Sequence, residues 1–137
     1  MADSRRLRVL DAAEDFATAT MFAAQHVHAH RAPGVRGQLV RAAASIGANI
    51  AEASGLGTDK NFKRQLRLAL ASANECGSHL RLLKRTGALD PLEHAHCETK
   101  RVVVCKMLTS LIRRLEEAEA RSEDAQYTRR RRQDDGE

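Results

Sequence analysis

The chain has 137 residues and a formal net charge of +5, with 42% hydrophobic, 30% charged and only 3% aromatic residues. That length suits one domain with a real core, and no run approaches the roughly 18 consecutive apolar residues that a membrane-spanning helix needs. The apolar share is mainly Ala and Leu and there are only two prolines, a mixture that favours long helices over strands.

Cys76, Cys97 and Cys105 have no regular metal spacing, and the chain opens on MADSRRLRVLDAAED without an apolar signal segment. A cytoplasmic protein with reduced thiols is therefore expected. Charge is uneven along the chain. Residues 31–114 hold 15 Lys or Arg against 6 Asp or Glu, residues 1–30 hold 3 against 4, and residues 115–137 hold 5 against 8. A basic middle permits attraction to nucleic acid or to an acidic protein, and says nothing about fold.

The first predicted helix covers residues 4–29, with Leu7, Leu10, Ala13, Ala17, Thr20, Ala24 and Val27 recurring at three- and four-residue steps. Ala32-Pro33-Gly34 ends it. The second covers 35–54, with Val35, Leu39, Ala42, Ile46, Ile50 and Ala53 as its apolar stripe. From Ala42 to Thr58 its only charge is Glu52, so it is expected to be the most covered of the helices and to offer surface to another copy. Gly55-Leu56-Gly57 supplies the left-handed backbone that closes a helix, and Thr58 caps the next one.

A third helix is predicted over 59–86, where Phe62, Leu66, Ala69, Ala73, Cys76, Leu80 and Leu83 form a heptad-like seam. Gly87 stops it, Asp90 caps the fourth and Pro91 takes the first helical position. The fourth covers 91–120, with Val104, Leu108, Leu111, Leu115 and Ala118 on one face and Val102, Val103 and Ile112 widening it. Residues 121–137 have no apolar stripe to offset the entropy of ordering and are predicted to be a disordered tail. Four amphipathic segments joined by short connections imply one all-α domain over residues 1–120, an antiparallel up-and-down four-helix bundle.

Ser45, Asn49 and Glu52 share one strip of the second helix, and Ser72 and Glu75 repeat the arrangement on the third. Buried polar groups are costly unless paired, so a hydrogen-bonded network joining these residues, with an arginine such as Arg41, is expected to set register or an interface.

The stretches RAAASIGANIAEASG (41–55) and TDKNFKRQLRLALASANE (58–75) resemble the 23S ribosomal RNA intervening-sequence proteins, a family of four-helix bundles. The resemblance rests on Ser45, Ile46, Asn49, Ile50, Ala51 and Glu52, then Phe62, Leu66, Ala69, Ser72 and Glu75, within residues 38–89. Ala53 stands where the family usually has glycine, which lengthens the second helix slightly. Asn61 stands where an acid usually precedes the phenylalanine, removing the Glu of a capping box. The resemblance implies assembly into a homopentameric ring and a fold similar to the accessory protein of diversity-generating retroelements, a basic bundle that works with a reverse transcriptase and RNA.

Lys60, Lys63, Arg64 and Arg67 lie on consecutive turns of the third helix, and Arg81, Lys84 and Arg85 continue the charge toward its end. Such a strip is either an ordinary solvated face or a surface that binds phosphates without sequence preference. Base recognition lacks a stacking platform, because Phe16, Phe22, Phe62 and Tyr127 are not arranged among the basic residues. The run Arg129 to Arg132 is a candidate contact arm, opposed by Asp134, Asp135 and Glu137.

His26, His30, His94, His96 and Cys97 match no known zinc spacing, and no cofactor is expected. The three cysteines read as core residues. Glu52 and Glu75 lack the Glu-X-X-His motifs of a di-iron site, and no constellation points to catalysis. The expected function is thus non-enzymatic: a homo-oligomeric bundle that binds RNA or DNA nonspecifically or serves as an adaptor in a nucleic-acid complex. The alternative is an interaction module whose basic face meets an acidic protein partner.

Overall fold

A computed structural model of the chain describes residues 4–53 and 59–136. It contains α1 (Ser4–Ala24), a short 3-10 turn (Ala29–Arg31), α2 (Val35–Ala53), α3 (Asp59–Arg85) and α4 (Pro91–Asp134). No strand occurs among the described residues. Each helix packs on its neighbour in sequence and α1 closes the square against α4. The cross-helix contacts run in opposite directions, with Asp15 of α1 against Lys100 and His26, just past the end of α1, against Glu93 of α4, and Lys63 against Glu119 and Asn74 against Cys105 between α3 and α4. The architecture is the antiparallel four-helix bundle that the periodicity implied.

The core is filled by the predicted stripes of α2, α3 and α4. Leu39, Ile46 and Ile50 meet Leu66, Leu80 and Leu83, with Val104 and Leu108 closing the fourth side. Each large aliphatic side chain buried this way contributes about 1.5–3 kcal/mol. The junction before α4 is as expected, with the Asp90 carboxylate accepting from Leu92 N at 2.7 Å and Pro91 in the first turn. Gly87 has φ +72°, and Ala88 N and Leu89 N both donate to Leu83 O, closing α3 as a left-handed cap.

The first helix departs from the reading of its sequence in two ways. It ends at Ala24, not residue 29, and residues 25–34 form an irregular connection that folds back over the bundle end. His28 N donates to Ala88 O at 2.9 Å there, and Val27 and Ala32 seal the core beside Ala88 and Leu89. Three alternate histidines with a β-branched valine are poor helix formers, so capping the bundle outweighs one more turn. Its buried line is also shifted: Val9 and Phe16 are in the core, whereas Leu7 is 55% exposed.

The fourth helix requires the larger correction. The expected disordered tail from residue 121 is instead a continuation of α4 to Asp134, making one helix of 44 residues, about 66 Å long. Every described residue beyond Leu115 is exposed, including Ala118, which the sequence placed on the packed face. Helix formation here depends on local propensity, because Ala, Glu, Gln and Arg dominate and neither Gly nor Pro occurs between Pro91 and Gly136. Within one chain the outer side of α2, including Ala44, Ala48 and Ala51, is open to solvent. Ser54 as the end of α2, the Gly55-Leu56-Gly57 break and the Thr58 cap lie outside the described residues.

Candidate nucleic-acid interface

The basic strip predicted on α3 is divided by the helix packing. Lys63 and Arg67 turn toward α4, where Lys63 pairs with Glu119 and Arg67 with Glu116. The Lys63 ammonium holds the Glu119 carboxyl below the usual carboxylate range. Lys60, Arg64, Arg81, Lys84 and Arg85 remain exposed, and Arg64 and Arg85 end an outward line that also contains Leu68 and Leu82. Four- and three-residue steps along one helix alternate between two surfaces once both sides have neighbours, which a strip read from spacing alone does not register.

A second basic surface was missed by the sequence reading. Antiparallel packing brings the start of α1 beside the later part of α4, where Arg5, Arg8, Lys106 and Arg114 line an open groove of about 300 Å³ floored by Met107, Ser110 and Leu111. No acidic side chain lines it among the described residues. The groove continues along α4 past Leu115 to Arg121, with Glu117 at its side. Arg5 and Arg8 are over 90 residues from Lys106 and Arg114, so only their general positive charge was visible beforehand.

The predicted polar network forms only in part. Ser45 Oγ lies 2.8 Å from Ser72 Oγ, joining α2 to α3, and also reaches Ala42 O at 2.8 Å. Asn49 Nδ2 donates to Ser45 O at 2.9 Å within its own helix. Arg41 and Glu52 are exposed and stand apart from this pair, and Glu75 turns outward to His79, 3.3 Å away. The extended network is therefore corrected to a Ser45–Ser72 link: carboxylates escape the desolvation cost by pointing to water, whereas small hydroxyls satisfy each other in place.

A stronger polar cluster lies between α3 and α4. Arg101 makes a two-pronged ion pair with Glu98, at 2.8 and 2.5 Å, and its other nitrogen points to Ala73 O at 3.4 Å. Its guanidinium occupies the space beside Gly77, where a Cβ would stand 2.7 Å from Cζ. Arg101 hydrogen bonding holds the Glu98 carboxyl below its ordinary value. Burial, with Lys84 nearby, also lowers the pKa of His94. Burial pushes the Cys76 thiol up to about 12 and raises Cys97 and Cys105, so these thiols remain protonated and are poor nucleophiles.

His26 pairs with Glu93 at 2.8 Å, and the His28 and His30 rings meet edge to face with centroids 6.1 Å apart. Among the described residues no three His, Cys, Asp or Glu side chains come together to hold a metal.

With this geometry in place, the comparisons decide the family. The profile of the 23S rRNA-intervening sequence proteins matches residues 5–110. The chain belongs to that family. A crystal structure of a protein of unknown function from the S23 ribosomal protein family of Bacteroides thetaiotaomicron is similar, with a TM-score of 0.73 and 28% identity over 80% of this chain and 98% of that one. None of the curated proteins matches. For this 23S rRNA-intervening sequence protein, the family match takes in Arg5, Arg8 and Lys106 and stops at residue 110, so the last turns of the bundle and the projecting part of α4 lie beyond it.

Proposed function

We propose that this protein is a non-enzymatic homo-oligomeric bundle that holds the sugar-phosphate backbone of RNA or DNA without sequence preference, alone or as an adaptor beside a nucleic-acid-processing protein such as a reverse transcriptase. The observation that carries the reading is the groove lined by Arg5, Arg8, Lys106 and Arg114, in which four cations meet with no acid among the described lining residues. Like charges held together by a fold raise the local potential and attract a polyanion. Guanidinium groups suit phosphate oxygens through paired N–H donors. Exposed Lys60, Arg64, Arg81, Lys84 and Arg85 add to the field.

Assembly into a ring of five would repeat the groove around an axis. Support comes from apolar surface that one chain leaves open, notably Leu68 and Leu82 on the outer line of α3 and the alanines of α2. Light scattering at micromolar concentration should then report five 15.1-kDa chains, about 75 kDa. A mass near 15 kDa would remove the ring.

Binding of a labelled RNA at rising salt tests the main reading. A complex at about 50 mM salt that weakens steeply as counterions compete is expected, and Arg8→Gln with Arg114→Gln should reduce both the affinity and the steepness. No complex at that salt would end the proposal. Co-purification with an acidic protein that survives nuclease treatment would favour the interaction module instead.

A further inference from the structure

The projecting part of α4 was expected to be a disordered tail, and its helical state gives each of its residues a fixed direction. One turn takes 3.6 residues, so positions 18 apart lie five whole turns along the same line. Leu111 and Arg114 both line the groove beside α1. Eighteen residues further on stand Arg129 and Arg132, within the same helix. Arg121, which already lines the groove's continuation, falls between them, with Ala118 and Ala125 as small spacers on the same side.

The other members of the arginine run point elsewhere. Arg130 continues the line of Ile112 and Arg131 that of Arg113, neither of which lines the groove, and the Arg131 guanidinium lies over the Tyr127 ring at 5.8 Å. Of the acids, Glu117 lines the groove's continuation with Arg114 and Arg121, and the others lie to its sides. Glu116 and Glu119 face α3 and pair with Arg67 and Lys63, and Glu123 follows them one turn later. Asp124 continues the line of Lys106 and so borders the basic side.

From these positions we infer that the groove and one side of the projecting helix form a single phosphate-binding track for a nucleic-acid duplex, in which Arg114, Arg121, Arg129 and Arg132 follow one another along α4. This rests on the function proposed above and extends the site along α4 beyond the family match, which stops at residue 110. The neighbouring structure uses 98% of its own length to match 80% of this chain, so a fifth of this chain has no counterpart in it.

The occupant follows from shape and charge. From Lys106 to Arg132 the helix rises about 39 Å, comparable with one turn of a duplex. No aromatic ring lies in line with Leu111 and Arg114 to stack unpaired bases, so a single strand gains nothing beyond its charge. A duplex presents twice the charge per unit length.

The test uses the full chain and an RNA duplex of about 24 base pairs, roughly two turns. Two double variants remove the same net charge, Arg129→Gln/Arg132→Gln and Arg130→Gln/Arg131→Gln. The first should lower the slope of log affinity against log salt by about 1.8, two phosphate contacts, while the second leaves it close to that of the unaltered protein. Circular dichroism should show both variants as helical as the parent. Equal losses from both pairs, or a loss from neither, would overturn the track while leaving duplex binding by the groove intact. A single strand of the same length binding as tightly as the duplex would also overturn it. Absence of any complex with the unaltered chain would remove the function and the track together.

Discussion

Gly77 and Arg101 illustrate how a single missing Cβ positions a charge between helices. Glycine inside a helix costs about 1 kcal/mol relative to alanine, yet at Gly77 a Cβ would meet the Arg101 guanidinium at 2.7–3.0 Å. Gly77→Ala should therefore fail to deliver that gain in the parent protein and deliver about 1 kcal/mol when Arg101 is alanine, measured as a double-mutant cycle by urea denaturation. An additive result would show that Arg101 moves aside at no cost. Thr20 is the opposite case, a fully buried hydroxyl whose neighbour is the Cys97 thiol, a weak hydrogen-bonding partner. Replacement by the isosteric Val should raise stability by about 1 kcal/mol, and a lower melting temperature would contradict this. His94 supplies a pH dependence. Its folded pKa is lowered by burial and by Lys84, so between the ordinary value of 6.5 and that lower folded value the unfolded chain binds more protons. Stability is fully present above about pH 6.5 and declines as pH falls through the window. Glu98, also depressed, adds a second loss as pH falls below about 4.5. Substituting His94 with Gln should remove the upper part of the decline in a series of denaturation curves, and an unchanged profile would assign it elsewhere.

Among the elements, α3 was the most legible from sequence, because Leu66, Ala69, Ala73, Cys76, Leu80 and Leu83 keep an unbroken seam and all six are buried. The first helix was less legible. Leu7 and Val9 compete for the core on hydrophobicity alone, and the docked helix buries Val9 and leaves Leu7 exposed. The projecting end of α4 was misread because burial was taken as the condition for order, whereas a helix extending from an already nucleated one adds residues without paying nucleation again. That distinction has a measurable consequence. Deleting residues 123–137 should leave the thermal midpoint within a few degrees, since no core side chain is removed, while lowering the far-ultraviolet helical signal. A large drop in midpoint would mean that the projection packs against something, such as a neighbouring copy.

For the whole molecule, the arrangement of charge follows from topology. Lys63 and Arg67 looked like part of a basic strip, but antiparallel packing sets them opposite Glu119 and Glu116, and these pairs cancel the local field. The same packing assembles Arg5 and Arg8 with Lys106 and Arg114 into a concentrated patch. Hydrophobic periodicity was enough to establish four helices, their antiparallel order and most of the core, because burial of an apolar stripe depends on near neighbours along one helix. The surface could not be read that way. Whether a lysine is paired or open, and whether an arginine from one end of the chain joins one from the other, depends on contacts between residues far apart in sequence, which exist only once the helices have docked.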